Sequence, residues 1–150
     1  ETLNIISDLT TQEKEILSNF KYRKNKAVIH SDESSMPKNR KAWCSWNSSL
    51  NPKNNQQSSV TYWLNQLQNL KIDKNIFLTI NPFFNINPDL IYNTIDFTHP
   101  YYDQKALENQ SKLRSIQNIN NTLYAGSYFG YGFHEDGIKS SIEMLKTLND

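Results

Sequence analysis

The sequence predicts an α+β fold: a mixed sheet with flanking helices, closed by a C-terminal strand, glycine turn and helix. Three observations carry that expectation. Short apolar runs of strand length recur at residues 26–31, 42–47, 76–80 and 91–97, among segments with helical spacing. Aromatic residues make up 12% of the 150 positions and sit in periodic segments, which argues for a packed chain. All four glycines fall between residues 126 and 137, directly ahead of a helical stripe.

The elements follow in order. Thr10-Thr11-Gln-Glu13 approximates a capping box and opens a helix over residues 11–20, with Ile16, Leu17 and Phe20 at helical spacing. Residues 26–31 read as a strand and 32–37 as a loop. Residues 42–47 read as the antiparallel return strand, with Cys44 expected as a small buried hydrophobe. A single cysteine leaves no internal disulfide, consistent with a reducing compartment. Residues 51–59 are polar, contain Pro52 and read as a loop. Val60-Thr-Tyr-Trp-Leu64 begins as strand and continues as a short helix to Leu70. Ile76-Phe-Leu-Thr-Ile80 is a buried strand stopped by Asn81-Pro82, and 91–97 is a strand or edge stopped by His99-Pro100. A polar-surfaced helix is expected over 103–118, carrying Ala106, Leu107, Leu113 and Ile116. A short strand is expected over 121–128. A last helix covers 137–148, with Ile138, Ile142, Leu145 and Leu148 near one stripe.

Composition excludes more than it selects. The length suits one domain able to bury a core. Hydrophobic residues are 37%, mean hydropathy is −0.72, and 20 asparagines and 13 lysines supply much of the polarity, a bias ascribed to an AT-rich genome. A net charge of +1 gives no global argument for nucleic acid or membrane. Locally, Lys21, Arg23, Lys24, Lys26, Lys38, Arg40 and Lys41 outnumber Asp32 and Glu33 beside Trp43 and Trp46. That cluster defines the alternative reading, a stand-alone anion, nucleic-acid or lipid-binding module without catalysis. No apolar run has the length of a membrane span, and no signal peptide is visible. There is no Walker loop, no Gly-x-Gly-x-x-Gly and no nucleophile elbow. His30, His99 and His134 show no metal-ligand spacing, so no metal is expected. The chain begins at Glu1 without an initiator methionine and reads as an excerpt.

The chemistry-bearing segment is Gly130-Tyr-Gly-Phe-His-Glu-Asp-Gly137. Glycines permit tight backbone and close approach of a flat ligand. Asp136 or Glu135 is placed to cap the helix, and Gly137 and Ile138 to offer unpaired N–H groups at its start. Such an end suits a carbonyl or developing negative charge, such as O2 and N1 of a reduced flavin. Tyr124, Tyr128, Phe129, Tyr131 and Phe133 add flat apolar surface. The same residues could instead merely shape a turn, with His134, Glu135 and Asp136 as surface caps.

Four blocks together resemble the C-terminal part of bacterial FAD-dependent oxidoreductases in the flavin-containing amine oxidase superfamily, the predicted NAD/FAD-binding amine-oxidase-like proteins. They are His30-Ser-Asp32 with Met36-Pro37 and Ala42-Trp-x-Ser-Trp-Asn47; Val60-Thr-Tyr-Trp-Leu-Asn-Gln-Leu-Gln68; Phe77-Leu-Thr-Ile-Asn-Pro82 with His99-Pro100; and Ala125-Gly126 through Gly137. They cover most of residues 20–148.

The resemblance implies a cytoplasmic two-domain flavoenzyme that passes a hydride equivalent from a substrate C–H bond to flavin. Residues 1–120 would be part of the substrate domain, and 121–150 the C-terminal segment of the FAD-binding domain. The N-terminal dinucleotide fingerprint is absent here and would come from a further half, in cis or in trans, without which the isolated chain is expected to be inactive. Gly126 and Ser127 would lie near the pyrophosphate or ribityl chain. Tyr131, Gly132, Phe133, His134, Glu135, Asp136 and Gly137 would line the flavin, with the Gly137 and Ile138 backbone facing O2 and N1. Ser127 departs from the family, many of whose members carry an acidic residue there. Trp43, Trp46, Tyr62 and Trp63 are candidates for a small-molecule substrate cavity, and Lys26 for a lysine near flavin N5. The substrate is left open among amine, unsaturated lipid and isoprenoid. No nucleic-acid partner is expected, and nothing supports membrane association.

Overall fold

A computed structural model describes residues 2–148; Glu1, Asn149 and Asp150, at the two ends of the expected segments, lie outside the described residues. The α+β class holds. Helices α1 (Thr11–Leu17), α2 (Leu64–Leu67), α3 (Gln104–Gln110) and α4 (His134–Lys146) accompany strands β1 (Lys21–His30), β2 (Trp46–Asn51), β3 (Asn54–Trp63), β4 (Phe77–Ile80) and β5 (Ile91–Tyr101). The strands form one five-stranded sheet in the order β2-β3-β4-β1-β5. Pairs β2/β3, β3/β4 and β1/β4 are antiparallel, where a mixed sheet was expected.

The chain divides into two compact units, residues 24–98 and residues 1–23 with 99–150. In the second of these, Leu9, Ile16, Leu17, Leu113, Ile116 and Tyr124 form the core. The expected capping box is present: Thr10 Oγ1 accepts from the Glu13 amide at 3.2 Å, and Glu13 Oε2 accepts from the Thr10 amide at 2.7 Å. Glu13 is nevertheless buried. Its other oxygen accepts from the Tyr124 hydroxyl at 2.7 Å, tying α1 to residue 124. Burial alone would raise the Glu13 pKa, but bonds from Thr10 and Tyr124 outweigh it and hold the carboxyl below its ordinary value.

In the 24–98 unit, residues opposite one another share a face. One face carries the rows Asn47–Thr61–Thr79–Val28 and Trp63–Phe77–His30; the other carries Trp46–Tyr62–Leu78–Ile29 and Ser48–Val60–Ile80–Ala27. The first face is polar yet buried. The Asp32 amide donates to His30 Nδ1 at 3.1 Å, which leaves the ring proton on Nε2, 2.8 Å from Thr79 Oγ1. The Thr79 hydroxyl shares a further hydrogen bond with Thr61 Oγ1 at 2.9 Å. Burial keeps the His30 imidazole below its ordinary pKa.

Four expectations change. Residues 42–45 are not strand: a 3₁₀ turn covers Arg40–Ala42 and β2 starts at Trp46. The Asn47 side chain folds back, accepting from the Cys44 amide at 3.1 Å and donating to the Cys44 carbonyl at 2.6 Å. Cys44 is therefore exposed, not buried. Residues 54–59 are not loop but the polar half of β3, paired with β2 across a two-residue turn at Pro52-Lys53. Ladder bonds make this strand where side-chain alternation gives no signal. Residues 121–128 form no strand; only an isolated bridge joins Ile119 and Thr122.

The asparagine bias has a structural share. Asn69, Asn81, Asn118, Asn120 and Asn121 all take positive φ, so asparagine serves left-handed positions in a chain that keeps its glycines for one turn.

Candidate functional site

The segment from Tyr124 to α4 has no neighbouring strand, so its backbone polar groups must pair otherwise. Side chains do this. Gln117 brackets Tyr124, its Nε2 donating to the Tyr124 carbonyl at 2.7 Å and its Oε1 accepting from the Tyr124 amide at 2.9 Å. Gln110 Nε2 donates to the carbonyls of Tyr128 (3.2 Å) and Gly130 (2.5 Å). The buried Ser140 hydroxyl accepts from the Gly126 amide at 2.9 Å and donates to the Gly137 carbonyl at 2.7 Å. Residues 124–130 are thereby fastened to the helix on either side of them in sequence.

Asp136 closes the turn. Its Oδ2 accepts from the amides of Tyr131 and Phe133, both at 3.0 Å, so the carboxylate reaches back across the glycines. Three glycines answer to this geometry. A Cβ on Gly130 would collide with the Asp136 carboxyl, one on Gly126 would lie 2.6 Å from the Tyr128 ring, and Gly132 has φ +93° with a Cβ position 3.0 Å from the Tyr102 hydroxyl. Gly137 differs. Nothing lies near its Cβ position except the Ser127 amide nitrogen at 3.8 Å, an ordinary contact. A helix-interior glycine costs about 0.5–1 kcal/mol relative to alanine, and no clash with a Cβ among the described residues requires it.

Helix α4 begins at His134, three residues ahead of the expected start. This moves the amides. The Gly137 N–H already donates to the Phe133 carbonyl at 3.3 Å and that of Asp136 to the same oxygen at 3.1 Å. The expected free pair at Gly137 and Ile138 is therefore inside the helix, and the outward first-turn amides belong to His134 and Glu135. Capping alone does not reveal that boundary in the sequence, because Phe133 occupies the N-cap position without a side-chain hydrogen bond.

Tyr131, Phe133, His134 and Glu135 are exposed together, while Gly126 and Ser127 are half-buried behind them. Burial pushes the Tyr128 hydroxyl up to about 12 and also raises that of Tyr102, which donates weakly to the Ser127 carbonyl at 3.5 Å. Along α4, Ile138, Ile142 and Leu145, with Leu148 just beyond, are each more than half exposed, and only Ser140 is buried. The apolar stripe expected there is thus uncovered. A cleft of about 700 Å³ lies along the opposite flank, between α4 and residues 110–117, with Arg114, Lys139 and Ser140 in its wall.

In the 24–98 unit the four aromatic candidates separate into two pairs. Trp46 and Tyr62 meet edge to face at 5.6 Å on the apolar face, with Trp46 66% exposed. Trp43 and Trp63 pack on the other face against Phe77, with centroids of Trp43 and Trp63 5.3 Å apart. Their indole N–H groups are used internally, on the Pro37 carbonyl (2.7 Å) and Asn75 Oδ1 (3.0 Å). Arg40 stacks over Trp43 at 4.8 Å, so that ring is no open platform for a base. The Lys26 side chain is exposed, while its amide and carbonyl are clamped by Asn81 at 2.9 and 2.8 Å.

Comparison with protein-family models and with curated proteins returns no match. Among the described residues no helix is long and apolar enough to cross a membrane.

Proposed function

We propose that the chain is the C-terminal portion of a cytoplasmic FAD-dependent oxidoreductase of the amine oxidase type, which transfers a hydride equivalent from a substrate C–H bond to flavin. The observation that carries this is Gly137: a helix glycine whose Cβ position meets only the Ser127 amide nitrogen, at an ordinary 3.8 Å, beside the exposed first-turn residues His134 and Glu135 and the exposed rings of Tyr131 and Phe133. A Cβ there would stand where a flat ring comes closest to the helix, and the cost of the glycine is offset by that approach.

The residues present fit the isoalloxazine end of the cofactor. Bound flavin supplies the two-electron chemistry at its N5. The chain's own contribution is electrostatic and geometric. The first-turn amides of α4 present partial positive charge to the O2 and N1 edge, where negative charge appears on reduction. Asp136 is spent on the turn, holding Tyr131 and Phe133 at fixed height. The uncovered stripe Ile138–Ile142–Leu145 supports a further half, bearing the dinucleotide fingerprint, that covers α4. Lys26 stays the candidate for assisting at N5.

The test is a flavin absorbance spectrum of the polypeptide carrying both halves, purified without added cofactor, beside the 150-residue chain. Flavin in the first and none in the second is the expected result. No flavin in the two-half protein, even after soaking with FAD, would sink the proposal.

A further inference from the structure

Helix α4 packs with its polar side inward. Asp136, Lys139, Ser140, Glu143, Met144 and Thr147 recur at helical spacing and line the cleft of about 700 Å³ that faces residues 110–117. Ile138, Ile142 and Leu145 lie outside that cleft and are exposed. All of the lining falls within the unit formed by residues 1–23 and 99–150. An apolar void stays dry, whereas one walled by hydroxyls, amides and charges holds water that a polar ligand displaces. Its volume lies in the range of about 300–1,000 Å³ typical of small-molecule sites.

The charges in this wall are unevenly answered. Asp136 is occupied by the Tyr131 and Phe133 amides, and Glu143 pairs with Lys146. Lys139 reaches Glu135 at 3.7 Å, with the two side chains 67% and 65% exposed, a pairing worth little in water. Arg114, on the opposite wall, forms no ion pair among the described residues. Phe129 and Met144, both half-buried, add apolar surface to the lining.

We propose that this cleft binds a small organic anion, its oxyanion held by Arg114 and Lys139 and its apolar body laid against Phe129 and Met144. A guanidinium meets phosphate or carboxylate with two parallel N–H donors, and an oxyanion entering here gains two cations without breaking a buried ion pair. A cationic ligand would instead find both carboxylates of the wall already engaged. The flavin reading draws on the first turn of α4 and uses neither Arg114 nor Lys139, so the two stand independently.

The experiment is calorimetric titration of the 150-residue chain with phenyl phosphate, phenylacetate and benzyl alcohol, which share a ring and differ in charge. At least one anion should bind, and benzyl alcohol should bind about tenfold or more weakly than it. The tighter of the two anions identifies the headgroup as phosphate or carboxylate. Arg114→Gln and Lys139→Gln, both at exposed positions, should each weaken that anion about tenfold, with far-ultraviolet circular dichroism confirming the fold. Lys112→Gln removes the same charge from an exposed position outside the cleft and should leave binding within about twofold. No heat of binding for either anion at millimolar concentration, equal binding of benzyl alcohol, or unchanged affinity in Arg114→Gln would each overturn the proposal. So would Lys112→Gln weakening the anion as much as Arg114→Gln, which would reduce the effect to net charge. No flavin enters these measurements, so their failure and that of the oxidoreductase reading are separate results.

Discussion

Replacing Gly137 by alanine separates what the chain needs from what a ligand needs. The new methyl group would sit 3.8 Å from the Ser127 nitrogen, with no other atom within 4 Å outside its chain neighbours and the nearby backbone of its own helix. No repacking cost arises, and the unfolded chain loses backbone freedom. The 150-residue chain should therefore be stabilised by about 0.5–1 kcal/mol. For a protein of this size that corresponds to a rise of roughly 1–4 °C in Tm. The same change made in Gly126, Gly130 or Gly132 should destabilise, since each would meet an atom at 3.0 Å or less. The assay is thermal unfolding by circular dichroism for the four variants, paired with flavin content of the two-half protein carrying Gly137→Ala or the bulkier Gly137→Val. A more stable chain whose parent holds less flavin, with valine worse than alanine, is the predicted signature. If Gly137→Ala destabilises the isolated chain, a packing demand explains the glycine. If the Gly137→Val parent retains full flavin, nothing flat approaches the helix there.

Glu13→Ala should cost roughly 2–4 kcal/mol in urea unfolding, because it leaves the Tyr124 hydroxyl buried without its acceptor and removes both Thr10 bonds. Thr79→Val, close in shape, should cost about 1–3 kcal/mol by stranding the His30 Nε2–H, and Thr79→Ser should recover most of it. The depressed His30 pKa gives the chain an acid limb. Unfolded imidazole takes up its proton near pH 6.5, whereas the folded ring does so only at lower pH, so the unfolded state binds more protons in that window. Stability is full above about pH 6.5 and falls as the pH drops towards the folded value. Urea midpoints measured at steps from pH 7.5 to pH 5 should decline, and His30→Gln should flatten the part of the slope that begins near pH 6.5.

What the sequence made legible was whatever rests on local chemistry. The Thr10–Glu13 box and the Phe77–Ile80 strand appear where expected, and a last helix follows the glycine turn, since caps and apolar runs act over a few positions. The polar half of β3 escaped notice because its strand character comes from ladder bonds to β2, with serines, asparagines and glutamines on both faces. Residues 121–128 look like a strand by composition, yet strand formation needs a neighbour, and here the amides of Gln110 and Gln117 stand in for one. At the candidate site, the glycine turn and the Asp136 cap were readable. The helix start was displaced because Phe133 occupies the N-cap, where polar residues are the usual signal. The division of four aromatics between two faces could not be read either, since it depends on the strand boundary at Trp46.

The hydrogen bonds from the Asp32 amide through His30 and Thr79 to Thr61 form one continuous chain, and this constrains which sheets the strands can build. An apolar face accepts many alignments of similar energy. Sliding β4 by one residue would turn Thr79 to the opposite face, and sliding it by two would carry its hydroxyl away from both His30 and Thr61. Each slipped pairing would leave a buried imidazole N–H without an acceptor, so misaligned sheets are penalised while the correct one pairs each link in turn. A core of valines would pack as well and discriminate less. The threonine–histidine chain thus works as an alignment key for a short, four-residue central strand that has few other means of finding its place.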